Sequence, residues 1–181
     1  WLREADPAKL TELWQEADRV RRTHVGNAVY LRGLVELSNH CVRKCTYCGL
    51  RAPHAQIRRY RMSRREILEA GQKAVHLGYG TVVLQAGQDP GIAPGWMADV
   101  IREIKQETPL AVTLSLGERS PAELELWRKA GADRYLLRFE TSDPHLYDQI
   151  HPPLPGQTIN RFQLLGILRQ LDYEVGSGIM V

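Results

Sequence analysis

Long hydrophobic runs and a strong charge of one sign are both missing from this 181-residue chain. No stretch approaches the ~18 consecutive apolar residues that a membrane span needs, so we expect no membrane partner and a soluble, cytoplasmic protein. The net charge is only +3. Proteins that bind nucleic acid carry a coherent basic face, so we expect no nucleic-acid partner. With 43% hydrophobic residues, the chain has enough apolar side chains for a sizeable core.

Cysteine is scarce, and all three cysteines fall within one short stretch. Cys41, Cys45 and Cys48 have the spacing C-x3-C-x2-C. An odd number of cysteines in one loop pairs badly into disulfides, whereas thiolates are soft ligands that suit zinc or an iron–sulfur cluster. Three thiolates leave one iron of a four-iron cluster open to another ligand. A structural zinc site needs a fourth ligand, which His40 or His54 would supply, so a zinc-binding module is the alternative.

Apolar strand-like segments alternate with helical ones along the chain. The predicted strands are 29–37, 81–86, 111–116, 134–139 and 173–181, and the predicted helices are 7–26, 63–78, 96–107, 120–131 and 158–171. Ser63 with Glu66 predicts a capping box, and Ser120 before Pro121 predicts another helix start. Strands that alternate with helices form a parallel sheet. Doubly wound and barrel folds both fit this α/β pattern.

The cysteine loop, with Tyr47 before its last cysteine, resembles the cluster loop of the radical S-adenosylmethionine (SAM) superfamily. The resemblance implies that Cys41, Cys45 and Cys48 hold a 4Fe–4S cluster whose open iron binds SAM. Reductive cleavage of SAM then yields a 5′-deoxyadenosyl radical. In that superfamily the loop follows the first strand of a barrel, which favours a (β/α)8 TIM-type barrel over a doubly wound sheet.

The length bears on how much of a barrel the chain can form. A full barrel needs ~250 residues, so 181 residues supply about five βα units. We therefore expect a helical extension over 1–28 and the N-terminal part of a barrel over 29–181, with the C-terminal portion missing from this sequence.

Polar residues end the predicted strands, at the face where barrel active sites lie. They are Gln85, Gly87, Thr113, Ser115, Arg138 and Glu140, and Arg161 follows early in a helix. Side chains alternate along a strand, so Arg138 and Glu140 are predicted to share one face. A buried charge is costly unless it is paired. We therefore expect Arg138 and Glu140 to form a mutual ion pair or to face a charged ligand.

Two other groups of residues carry weaker signals. An arginine cluster surrounds Tyr60, and its members are Arg58, Arg59, Arg61, Arg64 and Arg65. It is suited to a phosphate or a partner, but we expect a solvated helix start. The six histidines lack H-x-x-x-H spacing, so no second metal site is predicted.

Several strings resemble the HydE maturases of FeFe-hydrogenases, a group related to biotin synthase and methylornithine synthase. They are YLRGLVELSNHC, CTYCGLR, RRYRMS, TVVLQAGQDP, AVTLSLGE, AGADRYLLRFET and YEVGSGIMV. The resemblance implies assembly of the hydrogenase active-site cluster from an organometallic iron–cysteine substrate. It also implies other hydrogenase maturation proteins, and an electron donor such as ferredoxin or flavodoxin, as partners. A methylornithine synthase-like mutase and biotin synthase-like sulfur chemistry are the alternatives within the superfamily.

The same resemblance assigns roles to individual residues. Glu140 and Arg161 match residues that bind SAM, and Gln85 matches a position on the SAM side. Gly87 matches a glycine of the motif that supports the SAM amino group. Cavity-lining positions are matched by Thr113, Ser115 and Arg138. The sequence departs from the group at Phe139, where histidine is expected, and at Gln88, where glutamate is expected.

Overall fold

A computed structural model describes residues 1–180 of the chain and contains one five-stranded parallel sheet. The strands are β1 Gly33–Ser38, β2 Thr81–Ala86, β3 Ala111–Ser115, β4 Arg134–Leu136 and β5 Glu174–Gly176. The helices are α1 Pro7–His24, α2 Arg64–His76, α3 Pro94–Glu107, α4 Pro121–Lys129, α5 Pro144–Ile150 and α6 Arg161–Gln170. Among these helices, none combines the length and apolar character that crossing a bilayer requires.

The order of the strands distinguishes a barrel from a doubly wound sheet. Strand order in space follows chain order, β1-β2-β3-β4-β5, and every neighbouring pair is parallel. A doubly wound sheet reverses its order at a switch point, and this sheet does not. The winding is that of a (β/α) barrel. The predicted α/β fold, a part of a TIM-type barrel, is confirmed.

The chain divides into two compact units, the first ending at Tyr30 and the second beginning at Leu31. The first unit contains α1, whose first turn starts at Pro7 and is capped by the side chain of Asp6, which accepts a hydrogen bond from the N–H of Ala8. Division into an extension over 1–28 and a barrel domain over 29–181 stays a prediction.

Alternation along the strands of the second unit separates a helix-covered face from an inner face. In β2, Val82 and Leu84 are fully buried against the helices. The alternate residues Val83 and Gln85 face the inside of the sheet. In the pairing with β3, Val83 lies opposite Thr113 and Gln85 lies opposite Ser115. Polar side chains at the ends of β2 and β3 therefore meet on one face.

Local signals fixed most helix starts correctly. The predicted capping box of Ser63 and Glu66 is formed, and Ser120 forms another with Glu123. In contrast, α5 was not predicted. It has only seven residues, and its signal is the cap of Asp143 before Pro144 at the first helical position.

Several predicted strands are shorter than expected. β1 begins at Gly33 rather than at residue 29. β4 ends at Leu136, and Glu140 forms only an isolated bridge with Ile179 and has a φ of 66°. Strand alternation does not extend to this residue, so Arg138 is exposed whereas Glu140 is buried. Neither residue lies within β4, so the strand alternation from which their shared face was predicted does not apply to them. β5 ends at Gly176, and the last residue of its predicted range, Val181, lies outside the described residues.

Candidate functional site

A cavity of about 370 Å3 lies at the carboxyl ends of the strands, within the usual size range of small-molecule sites. All predicted site residues except Thr113 line it, namely Cys41, Cys45, Tyr47, Cys48, Gln85, Gly87, Ser115, Arg138, Glu140 and Arg161. Thr113 lies two residues before Ser115, deeper in the inner face. It is buried, and its hydroxyl has no hydrogen-bond partner among the described residues.

The cysteine loop follows β1 and brings three free thiols to this cavity. Cys45 is 7% exposed, and burial raises the pKa of its thiol, with a further contribution from Cys41. The N–H of Leu50 donates to the Sγ of Cys48 at 3.4 Å. Within residues 1–180, no three His, Cys, Asp or Glu side chains converge closely enough to hold a metal ion. The loop thus brings the thiols to one cavity without gathering them into a preformed ligand set.

A buried carboxylate fixes the start of the cysteine loop. Asp89 accepts two hydrogen bonds from Arg61, at 2.8 and 2.9 Å, and one from Ser38 at 2.6 Å. Burial alone would raise the pKa of Asp89, but these hydrogen bonds and one from the N–H of Gly91 lower it to about 2. The hydroxyl of Ser38 in turn accepts the N–H of His40. One residue of the arginine cluster thus binds the protein's own carboxylate.

Gly87 allows β2 and the cysteine loop to approach each other closely. A Cβ atom on Gly87 would lie 2.7 Å from the Cβ of Cys41 and closer still to the carbonyl oxygen of His40. Such contacts are well below van der Waals separation, so only glycine fits here. This position ties the end of β2 to the first cysteine.

A buried charge network lies beside the cysteines. Arg43, between Cys41 and Cys45, forms an ion pair with Glu118, and their side chains are only 4% and 7% exposed. Glu118 also accepts a hydrogen bond from Nε of Arg161 at 2.8 Å. The other oxygen of Glu118 pairs with Arg43. The negative charge of one carboxylate is therefore shared by two buried guanidinium groups.

Arg161 has partners at every nitrogen atom of its guanidinium. Besides Glu118, it donates to the Oε1 of Glu140 at 3.1 Å and to the carbonyl oxygen of Arg138 at 2.6 Å. Its Nη2 lies 2.6 Å from Nε2 of His151. Glu140 thus pairs with Arg161. Of the two expected arrangements of Arg138 and Glu140, the mutual ion pair is therefore not formed.

Two of the residues that line the cavity, Glu140 and Arg138, have charged groups with atoms that lack a partner in the described part of the chain. Oε2 of Glu140 is buried and has no hydrogen-bond partner among residues 1–180. The side chain of Arg138 lines the cavity, and it forms no ion pair with any described residue. One carboxylate oxygen and one guanidinium are therefore available to a ligand.

His151 is a buried neutral base in this network. Burial, with smaller contributions from Arg161 and Arg43, lowers the pKa of His151 to about 3. Its ring is uncharged at neutral pH, so its 3.7 Å approach to Glu118 is not an ion pair. Instead, Nε2 accepts a hydrogen bond from Arg161.

The two departures from the HydE group have different surroundings. The side-chain amide of Gln88 donates to the carbonyl oxygen of Glu118 at 2.5 Å and accepts its N–H at 2.6 Å. The amide both donates and accepts here, whereas the carboxylate of a glutamate would only accept at neutral pH. The ring of Phe139 lies 5.2 Å from that of Phe162, and Phe139 does not line the cavity.

The sequence did not reveal Arg43, Glu118 and His151 as members of the site. Arg43 lies between the first two cysteines, and Glu118 follows the end of β3. These positions are the sequence features from which a role in the site could have been predicted. His151 follows α5, the helix that was not predicted.

Comparison with known proteins agrees with this architecture. Residues 35–181 match the family profile of the Radical SAM superfamily. The [FeFe] hydrogenase maturase subunit HydE of Thermotoga maritima is 45% identical over 93% of this chain and 48% of its own length. The 3-methylornithine synthase of Methanosarcina acetivorans is 29% identical over 95% of this chain and 49% of its own length.

A solved structure shows the same fold. The crystal structure of methylornithine synthase matches with a TM-score of 0.87 and 28% identity, over 97% of this chain and 52% of that chain. The chain spans about half the length of the curated relatives it matches. A profile match over most of its residues, together with the barrel fold, shows that the chain belongs to the radical SAM superfamily.

Proposed function

We propose that the protein is a radical SAM enzyme of the HydE type, which acts in the maturation of FeFe-hydrogenase. The observation that carries this proposal is the grouping of three free thiols and seven other predicted residues around one cavity at the strand ends. Barrel enzymes have their active sites at this face.

Members of the radical SAM superfamily use a 4Fe–4S cluster and SAM. The chain's donors fit both groups. Thiolates are the usual ligands of iron–sulfur clusters, and the unpartnered Oε2 of Glu140 is an acceptor for hydroxyl or ammonium groups. With both groups bound, the chemistry supplied is one-electron cleavage of SAM to a 5′-deoxyadenosyl radical.

The chain's own residues bind and orient these groups. Cys41, Cys45 and Cys48 would hold the cluster. Glu140 would accept hydrogen bonds from SAM, and Arg161 holds that carboxylate in place through its contact at 3.1 Å. A guanidinium matches a carboxylate in a bidentate geometry, so Arg161 and the unpaired Arg138 are the candidates for the SAM carboxylate.

Other cavity residues would complete the SAM site. Gln85 and Ser115 lie opposite each other on the inner face and line the cavity. They would donate or accept hydrogen bonds at its floor. Tyr47 would close the side next to Cys48, and Gly87 keeps the first cysteine close to β2. Thr113, one layer deeper, would support this floor.

Hydrogenase maturation is favoured over the other superfamily reactions by the 45% identity with HydE, compared with 29% for 3-methylornithine synthase. We propose an organometallic iron–cysteine substrate, with other maturation proteins and a ferredoxin or flavodoxin as partners. A zinc module is disfavoured because neither His40 nor His54 lines the cavity. Nδ1 of His54 instead lies 2.8 Å from the carbonyl oxygen of Gly49.

Product analysis of the complete protein tests the proposal. After anaerobic reconstitution with iron and sulfide, reduction in the presence of SAM should yield 5′-deoxyadenosine, and Cys45→Ala should yield none. An iron–cysteine complex should raise the yield and be consumed. Formation of 3-methylornithine or biotin would instead assign the protein to one of the alternatives. A protein with one tightly bound zinc and no nucleoside product would contradict the radical SAM proposal.

A further inference from the structure

We propose that Arg59 is a positioning residue that closes the cysteine loop across its base and keeps the loop formed before any cluster is bound. The idea rests on the proposed function only in that the loop is taken to hold the cluster. The guanidinium of Arg59 donates hydrogen bonds to main-chain carbonyl oxygens on both sides of the three cysteines.

The contacts of Arg59 join the two arms of the loop. Nη1 donates to the carbonyl oxygen of Asn39 at 2.5 Å and to that of Leu50 at 2.9 Å. Nη2 donates to the carbonyl oxygens of Arg51 at 3.0 Å and His54 at 3.4 Å. Asn39 lies two residues before the first cysteine, and Leu50 lies two residues after the last. The guanidinium therefore bridges the chain where the loop begins and where it ends.

Only arginine satisfies this geometry. Four carbonyl oxygens point at one place, and without a cation between them they would repel each other and lose their hydrogen bonds. A guanidinium presents five N–H donors in a rigid fork, whereas a lysine ammonium presents three donors from one atom. Hydrogen bonds from a charged donor are also stronger than neutral ones. Lysine would restore part of the contact.

Neighbouring contacts reinforce the same closure. The side chain of Asn39 donates to the carbonyl oxygen of Arg58 at 2.9 Å and accepts the N–H of Tyr60 at 2.7 Å. Arg59 is thus held between two residues that are both bound to the first arm. The segment after the loop is fixed to its start independently of the thiols.

Amide hydrogen exchange of the cluster-free complete protein tests this directly, because it reports local opening whether or not a cluster ever binds. In Arg59→Ala, amides of residues 40–52 should exchange about tenfold faster, which corresponds to about 1.4 kcal/mol of lost local stability. Arg59→Lys should lie between that variant and the wild type. Arg58→Ala is the matched control, since the Arg58 side chain has no hydrogen bond or ion pair among the described contacts. It should leave the exchange unchanged.

Iron release gives the second readout. In reconstituted protein, transfer of iron to a chelator should be about tenfold faster in Arg59→Ala than in the wild type or Arg58→Ala. Unchanged loop exchange in Arg59→Ala, or acceleration spread evenly over the whole chain, would overturn the proposal. Should Arg59→Ala not fold, Arg59→Lys serves the same comparison. Faster loop exchange in a protein that binds no cluster would support the positioning role while contradicting the proposed function.

Discussion

The guanidinium of Arg43 and the carboxylate of Glu118 form a buried ion pair across a separation of 75 residues. Arg43 belongs to the cysteine loop, and Glu118 also holds Arg161 at the start of α6. One carboxylate therefore links the thiols to the residue proposed to support SAM binding. A substitution at Glu118 should therefore affect both the cysteine loop and the position of Arg161.

Removing the charge of Glu118 should destabilise the protein strongly. Glu118→Gln leaves the guanidinium groups of Arg43 and Arg161 without their shared counter-ion in a buried site. Breaking a buried pair in this way costs about 3–5 kcal/mol. Urea denaturation of the cluster-free protein measures this loss. Glu125→Gln, which breaks an exposed pair with Lys129, should change the free energy of unfolding by no more than about 1 kcal/mol. Equal effects of the two substitutions would contradict the network.

Gln88→Glu should destabilise the protein at neutral pH, although it restores the residue expected from the HydE group. A carboxylate still accepts the N–H of Glu118 but repels its carbonyl oxygen, which costs about 1–3 kcal/mol. The pKa of the new carboxyl should be raised, because only the protonated form donates. The penalty should therefore shrink as the pH falls toward about 4, near the ordinary pKa of glutamate. Urea denaturation at both pH values tests this. The control is Gln56→Glu, at an exposed residue whose side chain has no hydrogen bond among the described contacts. A penalty independent of pH would argue against the two-way hydrogen bond.

Asp89 should make stability sensitive to acid in a defined range. Its pKa in the folded protein is about 2, compared with an ordinary value of 3.8. A lowered pKa means that the stabilisation is fully present above pH 3.8 and is lost as the pH falls through about 2. The stability difference between wild type and Asp89→Asn should thus shrink over this interval in acid-induced unfolding followed by circular dichroism. Asp99→Asn, at an exposed pair with Arg102, should track the wild type. A constant Asp89 difference down to pH 2 would refute the assignment.

Gly87→Ala should displace the cysteine loop. The added methyl group would meet the main chain of His40 and the side chain of Cys41, and overpacking of this kind costs about 1–3 kcal/mol. We expect faster maleimide labelling of the three thiols and less iron after reconstitution. Gly80→Ala has no atom within 4 Å of the added carbon and should label at the wild-type rate. If both variants label alike, the close approach of β2 and the loop does not position the cysteines.

Local patterns were enough to predict much of the fold and the identity of the site. The capping box of Ser63, the apolar strands and the spacing of the cysteines are each encoded by residues a few positions apart. Together they predicted the parallel α/β architecture. The expectation that active-site residues lie at strand ends identified five residues that line the cavity, Gln85, Gly87, Ser115, Arg138 and Glu140.

What the sequence did not predict depends on contacts distant in the chain. Glu140 adopts a φ of 66° after β4 has ended, so strand alternation did not predict that it pairs with Arg161. The pairing of Arg43 with Glu118 joins two loops that only the folded barrel brings together. Arg59, in a cluster expected to be solvated, is directed by the fold onto the main chain of the cysteine loop.

The most direct test of the central claim is electron paramagnetic resonance of the reduced, reconstituted complete protein, recorded with and without SAM. We expect a 4Fe–4S signal that changes when SAM is added. That signal should be absent in Cys45→Ala, and in Glu140→Gln it should persist with a weaker response to SAM. A cluster signal that SAM leaves unchanged, or a protein without iron that keeps one zinc ion, would contradict the account.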